Sequence, residues 1–425
     1  MLEKVSLFRN KRDFFHFLLL AFTIFSLSIS LEFYNYKELT KFDSQLVNAT
    51  VLKQYTKTKL TKTGKTKIYQ VLKLKSDDGF TFYSTASKNL KDIKFHRVQL
   101  EAWAGNISFY EYIHGFYCFS KILKVYDDDT YRSKLNSFID KQHTNREISL
   151  VYQALFSAKQ LPFELQKTFS SLGISHLIAI SGFHLGILSI LLYFIIKFPY
   201  KFLQDRYFPY RSYRLDSFFI ITLVLLSYLL FLDSPPSLLR AFVMLILGFL
   251  LYDREIKIIS MQTLILTIIT IISLFPRLYF SLGFWLSVSG VFYIFLFLIH
   301  FKERSKLWQF TLLPFWVYLL MLPFSLAIFN NFSLYHPLSI LWTTLFNIFY
   351  PVSMFLHTLG MGNILDFVLD YLINLNTDST LVTLSTSLLL IHILLSILSL
   401  YGKVFLYTLL FYASMIFIYA IYNVA

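Results

Sequence analysis

A chain of 425 residues with 56% hydrophobic, 19% aromatic and only 15% charged side chains carries more apolar surface than one soluble core can hide, which leaves a multi-pass membrane protein. The formal net charge of +14 suits membrane topology, anionic lipid or nucleic acid equally, so its placement along the chain has to decide. Cys118 is the single cysteine, which excludes an intrachain disulfide and a cysteine-rich metal site and leaves the compartment unread.

Lys4, Arg9, Lys11 and Arg12 stand directly before an apolar run that begins at Phe14, without a clear small-residue cleavage site. This predicts an uncleaved N-terminal membrane anchor over 1–35, amino terminus inside. From 36 to 125 the composition turns to Lys, Thr and alternating apolar residues, as in QLVNATVL, TKIYQVLKLK, FTFYST and RVQLEAW. TKTG precedes one of these strand patterns and SDDG, from Ser76 to Gly79, joins two as a hairpin. About five short strands without a long helix predict a small all-β domain of the OB type, inserted outside the membrane. Residues 126–173 read as amphipathic linker helices at the interface: TYRSKLNSFIDK, N-capped by Asp127, Asp128 and Asp129, then REISLVYQALFSAKQ and PFELQKTFSSLG.

Residues 174–425 form the polytopic part, with apolar runs near spanning length at 174–196, 217–232, 238–252, 258–275, 279–300, 307–329, 334–359, 381–400 and 404–422. MGNILDFVLDYLINLNTDST, at 361–380, is either an interfacial helix or a short crossing. Lys197, Lys201, Arg206, Arg211 and Arg214 share one loop; Arg254 with Lys257, and Lys302 with Arg304 and Lys306, mark the next loops of the same parity, which are therefore cytoplasmic. The intervening loops hold Arg277 as their only Lys or Arg and face outward, as does the β domain. Positive-inside statistics do not explain the many lysines of that external domain, because long domains translocate whatever their charge. An external polyanion does, and aromatic residues among the lysines are what an OB fold uses to stack bases and follow phosphates. Lys73, Lys75, Lys88, Tyr69 and Phe82 are the candidate DNA-binding residues.

Several motifs bear on function. TGKT at 63–66 imitates a phosphate-binding loop, but Lys59 stands where the first glycine belongs and no helix follows, so no ATPase is expected. In SHLIAISGFHLGILSILLYFII, His176, Ser181 and His184 open a run long enough to cross a bilayer, where polar groups are expensive. Read as one helix, it sets His176 and His184 about 80° apart and Ser181 next to His184, while Gly182 and Gly186 form G-x-x-x-G for close helix approach. A packing seam, a Ser/His pair and the polar wall of a passage all fit. Arg240, after DSPPSLL, either snorkels to the outer interface or faces inward, with Asp233 as its candidate partner. FSLGFWLSVSGVF gathers Gly283, Ser287, Ser289 and Gly290 into a second small-residue seam, and NNFSLYHP reads as a cap and turn.

FSSLGISHLIAISGFHLGIL strongly resembles the signature of the ComEC family of competence proteins, approximately G-[LI]-x-H-L-x-A-I-S-G-[LF]-H-[VL]-G. The likeness extends to PPSLLRAFVM, to FPRLYFSLGFWLSVSGVFYIF, where Trp285 replaces a more usual Gln, and to LPFSLAIFNNFSLYHPLSILW. Upstream, GKTKIYQVLKLKSDDGFTFYST and ISFYEYIHGFYCFSKI look like the family's external OB-type domain. The resemblance implies transport of single-stranded DNA across the bacterial cytoplasmic membrane in natural transformation. Longer members carry a metallo-β-lactamase-like nuclease with an H-x-H-x-D-H site; the ten histidines here are scattered and none forms it. The expectation is thus a channel that is not an enzyme, with no cofactor or metal. It implies single-stranded DNA, an external DNA receptor, a cytosolic motor or strand-binding protein and a separate nuclease as partners, with homo-oligomerisation possible. The competing readings are an intramembrane hydrolase built on Ser181 and His184, and a transporter of another anion such as a lipid-linked intermediate.

Overall fold

The computed structural model describes residues 10–60, 66–94, 96–126, 131–253, 260–375 and 380–424. The expected TKTG turn, most of TGKT, the acidic run Asp127–Asp129 and the charges Lys4, Arg9, Arg254 and Lys257 lie outside them. Two compact units emerge: Asn10–Leu135 with Ile269–Phe280, and Asn136–Ile268 with Ser281–Ala425.

The first unit opens with helix α1 (Lys11–Leu39), whose 29 apolar-rich residues exceed the roughly 20 needed to cross a bilayer. Strands β1 (Gln45–Leu60), β2 (Thr66–Ser76), β3 (Thr81–Ala86), β4 (Arg97–Trp103), β5 (Phe116–Tyr117) and β6 (Phe119–Val125) form one sheet, in the order β5-β3-β2-β1-β4-β6. Its end strands are separated in sequence by Cys118 alone, so the sheet curls back on itself. The Cys118 N–H donates to the Tyr83 carbonyl at 3.0 Å and the Ser120 hydroxyl to Ser84 Oγ at 2.7 Å. Alternation sends Val47, Ala49, Val51, Leu72, Leu74, Phe80, Phe82, Val98 and Leu100 inward. The SDDG hairpin forms as read: Gly79 takes φ 89°, open to glycine without penalty, and Ser76 Oγ accepts from the Asp78 N–H at 3.2 Å. Helix α2 (Phe109–His114) is set by a capping box in which Ser108 and Glu111 satisfy each other's backbone N–H groups. Within this unit Arg277 makes a two-pronged ion pair with Glu32, at 2.6 and 2.8 Å, and covers the Tyr112 ring at 4.6 Å.

The second unit is helical. It begins with α3 (Tyr131–Asp140), α4 (Arg146–Ser157) and α5 (Phe163–Ser171), the three expected linker helices. The structure corrects their placement, because α4 is no surface helix: every residue from Ile148 to Ser157 except Leu150 is buried. Its polar members bond along the helix instead, Gln153 Nε2 to Ser149 Oγ at 2.9 Å and Ser157 Oγ to the Gln153 carbonyl at 2.7 Å. After the single turn α6 (Ser175–Ile178) come α7 (Gly182–Tyr207), α8 (Tyr213–Phe231), α9 (Pro236–Asp253), α10 (Met261–Leu274), α11 (Leu282–His300) and α12 (Lys306–Phe329). Then follow β7 (Asn331–Phe332), α13 (Ser339–Thr358), α14 (Asp366–Ile373), β8 (Thr380–Leu381), α15 (Thr386–Leu398) and α16 (Lys403–Tyr422). Among the described residues seven segments have the length and hydropathy to cross a membrane: α1, α7, α8, α11, α12, His336–Thr358 and α16. Ser237–Tyr252, Met261–Leu274 and Thr386–Leu398 are shorter apolar helices. This is a multi-pass helical membrane protein.

One of the seven, His336–Thr358, lies between two short strands that pair. β7 and β8 pair antiparallel, Asn331 opposite Leu381, so the chain leaves and rejoins the bundle at one place. Between them, after α13, α14 has 8 residues and rises about 12 Å. The expected span at 334–359 contains a helix of spanning length, His336–Thr358, with the lowest mean hydropathy of the seven at 1.4, and the described part of 361–380 holds α14.

Candidate functional site

The run from Ser175 to Ile196 is not one helix. α6 ends at Ile178, Ala179 and Ser181 adopt extended backbone, and α7 starts afresh at Gly182. The 80° relation between His176 and His184 therefore does not hold. His176 instead lies 3.4 Å from Thr343 Oγ1 of α13, whereas His184 is fully buried in the first turn of α7. Ser181 is the N-cap of α7: its Oγ accepts from the Phe183 N–H at 3.3 Å, and its N–H donates to His184 Nδ1 at 3.2 Å. The expected Ser181–His184 contact exists, with Oγ 3.2 Å from Nδ1, but it closes a capping box and satisfies a helix end. The imidazole sits among Phe346, at 5.4 Å, and Tyr350, at 4.6 Å. With Nδ1 accepting from the backbone, neutral His184 carries its proton on Nε2, a buried donor whose neighbouring acceptor is the Leu177 carbonyl.

G-x-x-x-G holds by half. A Cβ built on Gly182 would stand 2.8 Å from Ala241 Cβ and 3.1 Å from Arg240 Nη2, so α9 packs directly on the backbone at the head of α7. Gly186 has nothing within 4 Å of that position, and Gly290 is equally open. Gly283 meets only Ser281 Oγ at 3.9 Å, so the second expected seam, with Ser287 half-buried, is not a close contact.

Arg240 does not snorkel. It is 6% exposed, donates from Nη1 to Met244 Sδ at 3.0 Å, and leaves Nε without a partner. Asp233, the partner expected from sequence, is exposed in a left-handed turn with φ 59°. The head of α7 thus carries a buried N–H donor lacking an acceptor, Arg240 Nε, beside a helix amino terminus. Both favour a negative charge.

The β unit presents a different kind of site. Strand register aligns Lys53 with Lys73, Lys73 with Tyr83 and Tyr83 with Tyr117, one row across β1, β2, β3 and β5 on the outer face. Tyr69 lies opposite Lys57 and Lys75 opposite Thr50 on the same face, while Lys88 is exposed beyond β3. Lys73 Nζ sits 5.5 Å from the Tyr83 ring centroid. The Lys53 ammonium has its pKa lowered, by partial burial first and by the Lys73 charge second. Phe82 is the correction here. It is fully buried and stacked on Phe116 at 5.6 Å, so it fills the core and offers no face to a base. Lys53 and Tyr83, part of the lysine and aromatic set of this domain, were not singled out and Tyr117 was not named, although counting outward from the SDDG hairpin would have paired Lys73 with Tyr83.

Among the described residues no group of three or more His, Cys, Asp or Glu side chains is arranged to hold a metal ion. No curated protein and no solved structure matches this chain. A known family does: residues 156–423 match the one described as Competence protein, over more than half of the chain and across the whole of the α7 head, Arg240 and α13. The chain therefore belongs to the competence protein family, membrane proteins of DNA uptake.

Proposed function

We propose that this protein conducts single-stranded DNA across the bacterial cytoplasmic membrane during transformation, without catalysing a reaction on it. The observation that carries the reading is the buried Arg240 guanidinium at the head of α7, whose Nε is held without an acceptor where a phosphate would supply one. A buried unpaired guanidinium costs several kcal/mol, so its retention calls for an anion that arrives in use. The β unit acts as an external capture domain of the OB type. In support, β1 pairs with both β2 and β4, β3 runs parallel to β5, and one bent strand through Cys118 closes the sheet, as in a small Greek-key barrel. Its outer row of lysines and tyrosines offers charges to phosphates and rings to bases.

A phosphate moved inward against a negative interior costs about 2.3 kcal/mol per 100 mV, and nothing in the described chain supplies that work. A cytosolic motor or strand-binding protein pulls the strand, an external receptor delivers it and a separate nuclease removes its complement; a homo-oligomer is compatible with this scheme. The hydrolase reading loses its support, because the Ser181 hydroxyl accepts a backbone hydrogen bond at the α7 cap and, among the described residues, no carboxylate is bonded to His184.

The test is uptake of labelled single strands by cells carrying Arg240→Gln at wild-type membrane abundance. Removing a charge-assisted hydrogen bond worth about 1.5–3 kcal/mol should lower the import rate roughly ten- to hundredfold, with DNA left outside and open to added nuclease. Import at the wild-type rate overturns the assignment.

A further inference from the structure

Away from the α7 head, a second buried polar cluster joins the turn between α3 and α4 to α13 and α14. His143 Nδ1 lies 2.9 and 3.1 Å from the two Asp366 carboxylate oxygens; its Nε2 faces His357 Nε2 at 3.0 Å, and His357 Nδ1 is 2.6 Å from the Ser353 carbonyl. Gln142 ties the same pieces together, donating to the His357 carbonyl at 3.3 Å and accepting from the Gly362 N–H at 2.8 Å. The His143 side chain is wholly buried and that of Asp366 is 19% exposed.

Three contacts run from Asp366 through both imidazoles to Ser353, and each needs one proton between its atoms. A carboxylate and two neutral imidazoles bring only two. The count does not depend on tautomer: with two protons, one of the three contacts sets lone pair against lone pair. The third proton also cancels the carboxylate charge, so the closed chain is buried neutral and the open one buried with a net negative charge, which the interior disfavours. Tyr152 of α4 stacks on His143 at 4.7 Å and 13° and lies 4.5 Å from His357, offering a π-face to an imidazolium. A metal ion in place of the proton would need further ligands, yet Gly362 closes the edge of His357 so tightly that an added Cβ would fall 2.7 Å from Nε2.

We propose that Asp366, His143 and His357 form a one-proton clasp: protonated, it locks the buried helix α4 onto α13 and α14; deprotonated, it releases them. Of the other ionisable groups nearby, Tyr152 does not titrate in the relevant range, because burial raises its pKa. Asp140 is engaged by the Ser149 hydroxyl at 2.7 Å, and Lys141, Arg146, Glu147 and Asp370 are exposed. The clasp is closed at low pH and opens as pH rises, since the closed form holds the extra proton. α13 also carries Phe346 and Tyr350 against His184, so its release loosens one wall of the α7 head.

The experiment is hydrogen–deuterium exchange on the full chain in lipid nanodiscs between about pH 5 and about pH 8, corrected for intrinsic exchange. Protection of Arg146–Ser157 and of the Gly362 amide should fall about tenfold or more as pH rises, with a smaller loss at the head of α7 and no change in α11, α12, α15 and α16. Asp366→Asn, which keeps the shape and removes the counter-charge, should move that transition to lower pH, and His143→Gln should abolish it. Wild-type protection that is the same at both ends of the range overturns the proposal without reference to any variant. So does protection at high pH that appears on adding zinc alone and vanishes with a chelator, which would make the pair a metal site.

Discussion

Positive charge is spent in two opposite ways in this molecule. On the β unit, Lys53, Lys57, Lys73 and Lys75 stand on the outer face of a sheet, Lys53 and Lys73 in one row with Tyr83 and Lys57 opposite Tyr69. At the head of α7 a single guanidinium, Arg240, is enclosed by Gly182, Ala241 and Met244. Solvated lysines are cheap, redundant and screened by salt, so each contributes little and none is indispensable. A buried arginine has no substitute, and the packing that encloses it makes its effect local. The lesson is that the net charge of +14 measures the first kind of site and says nothing of the second, which rests on one residue.

The comparison breaks most severely if the packing at Gly182 is disturbed. Gly182→Leu drives a side chain into Ala241 Cβ at 2.8 Å and should destabilise the α7–α9 contact by about 1–3 kcal/mol or more, lowering both import and membrane abundance. Gly186→Leu, with open space around it, should leave both near wild type. Quantitative blotting beside an import assay separates the two, and equal behaviour of the pair would deny any special closeness at the α7 head.

Arg240→Lys sharpens the contrast at the next level. The ammonium keeps the charge but loses the planar fork, so import should fall between wild type and the ten- to hundredfold loss of Arg240→Gln. Equal rates for Lys and Gln would make geometry, and not charge, the function of the residue.

Lys73→Glu with Lys75→Glu and Lys88→Glu should act through salt. Binding of a labelled single strand to the full chain should weaken, and the slope of log affinity against log salt should flatten by about 2, near 0.7 for each phosphate left without its lysine. Phe82→Leu should leave the slope unchanged, because that ring lies inside the barrel. A changed slope for Phe82→Leu with the fold intact would restore its place among the binding residues.

The smallest effect is expected at Ser181. Ser181→Ala removes an N-cap and should cost about 1 kcal/mol of local stability while import continues at near the wild-type rate. A thousandfold loss of function with normal abundance would return the hydroxyl to chemistry.

The sequence by itself determined the class, the strands, most of the membrane helices and the place of the α7 head, because bilayer thickness and the two-residue alternation of a strand write themselves into composition and period. Phe82 could be assigned to a strand, but its side was open until pairing with Leu74 and stacking on Phe116 fixed it inside. The break at Ala179–Ser181 was hidden for a like reason: an apolar run long enough to span looks the same whether or not a capping serine restarts the helix within it. Contacts distant in sequence were beyond reach altogether. Nothing local to HTNRE marks His143 as the partner of His357, 214 positions away, and nothing in NNFS marks β7 as the partner of β8. Local pattern fixes what an element is; only the packed chain decides which groups it meets, because burial and hydrogen-bond satisfaction are properties of neighbours.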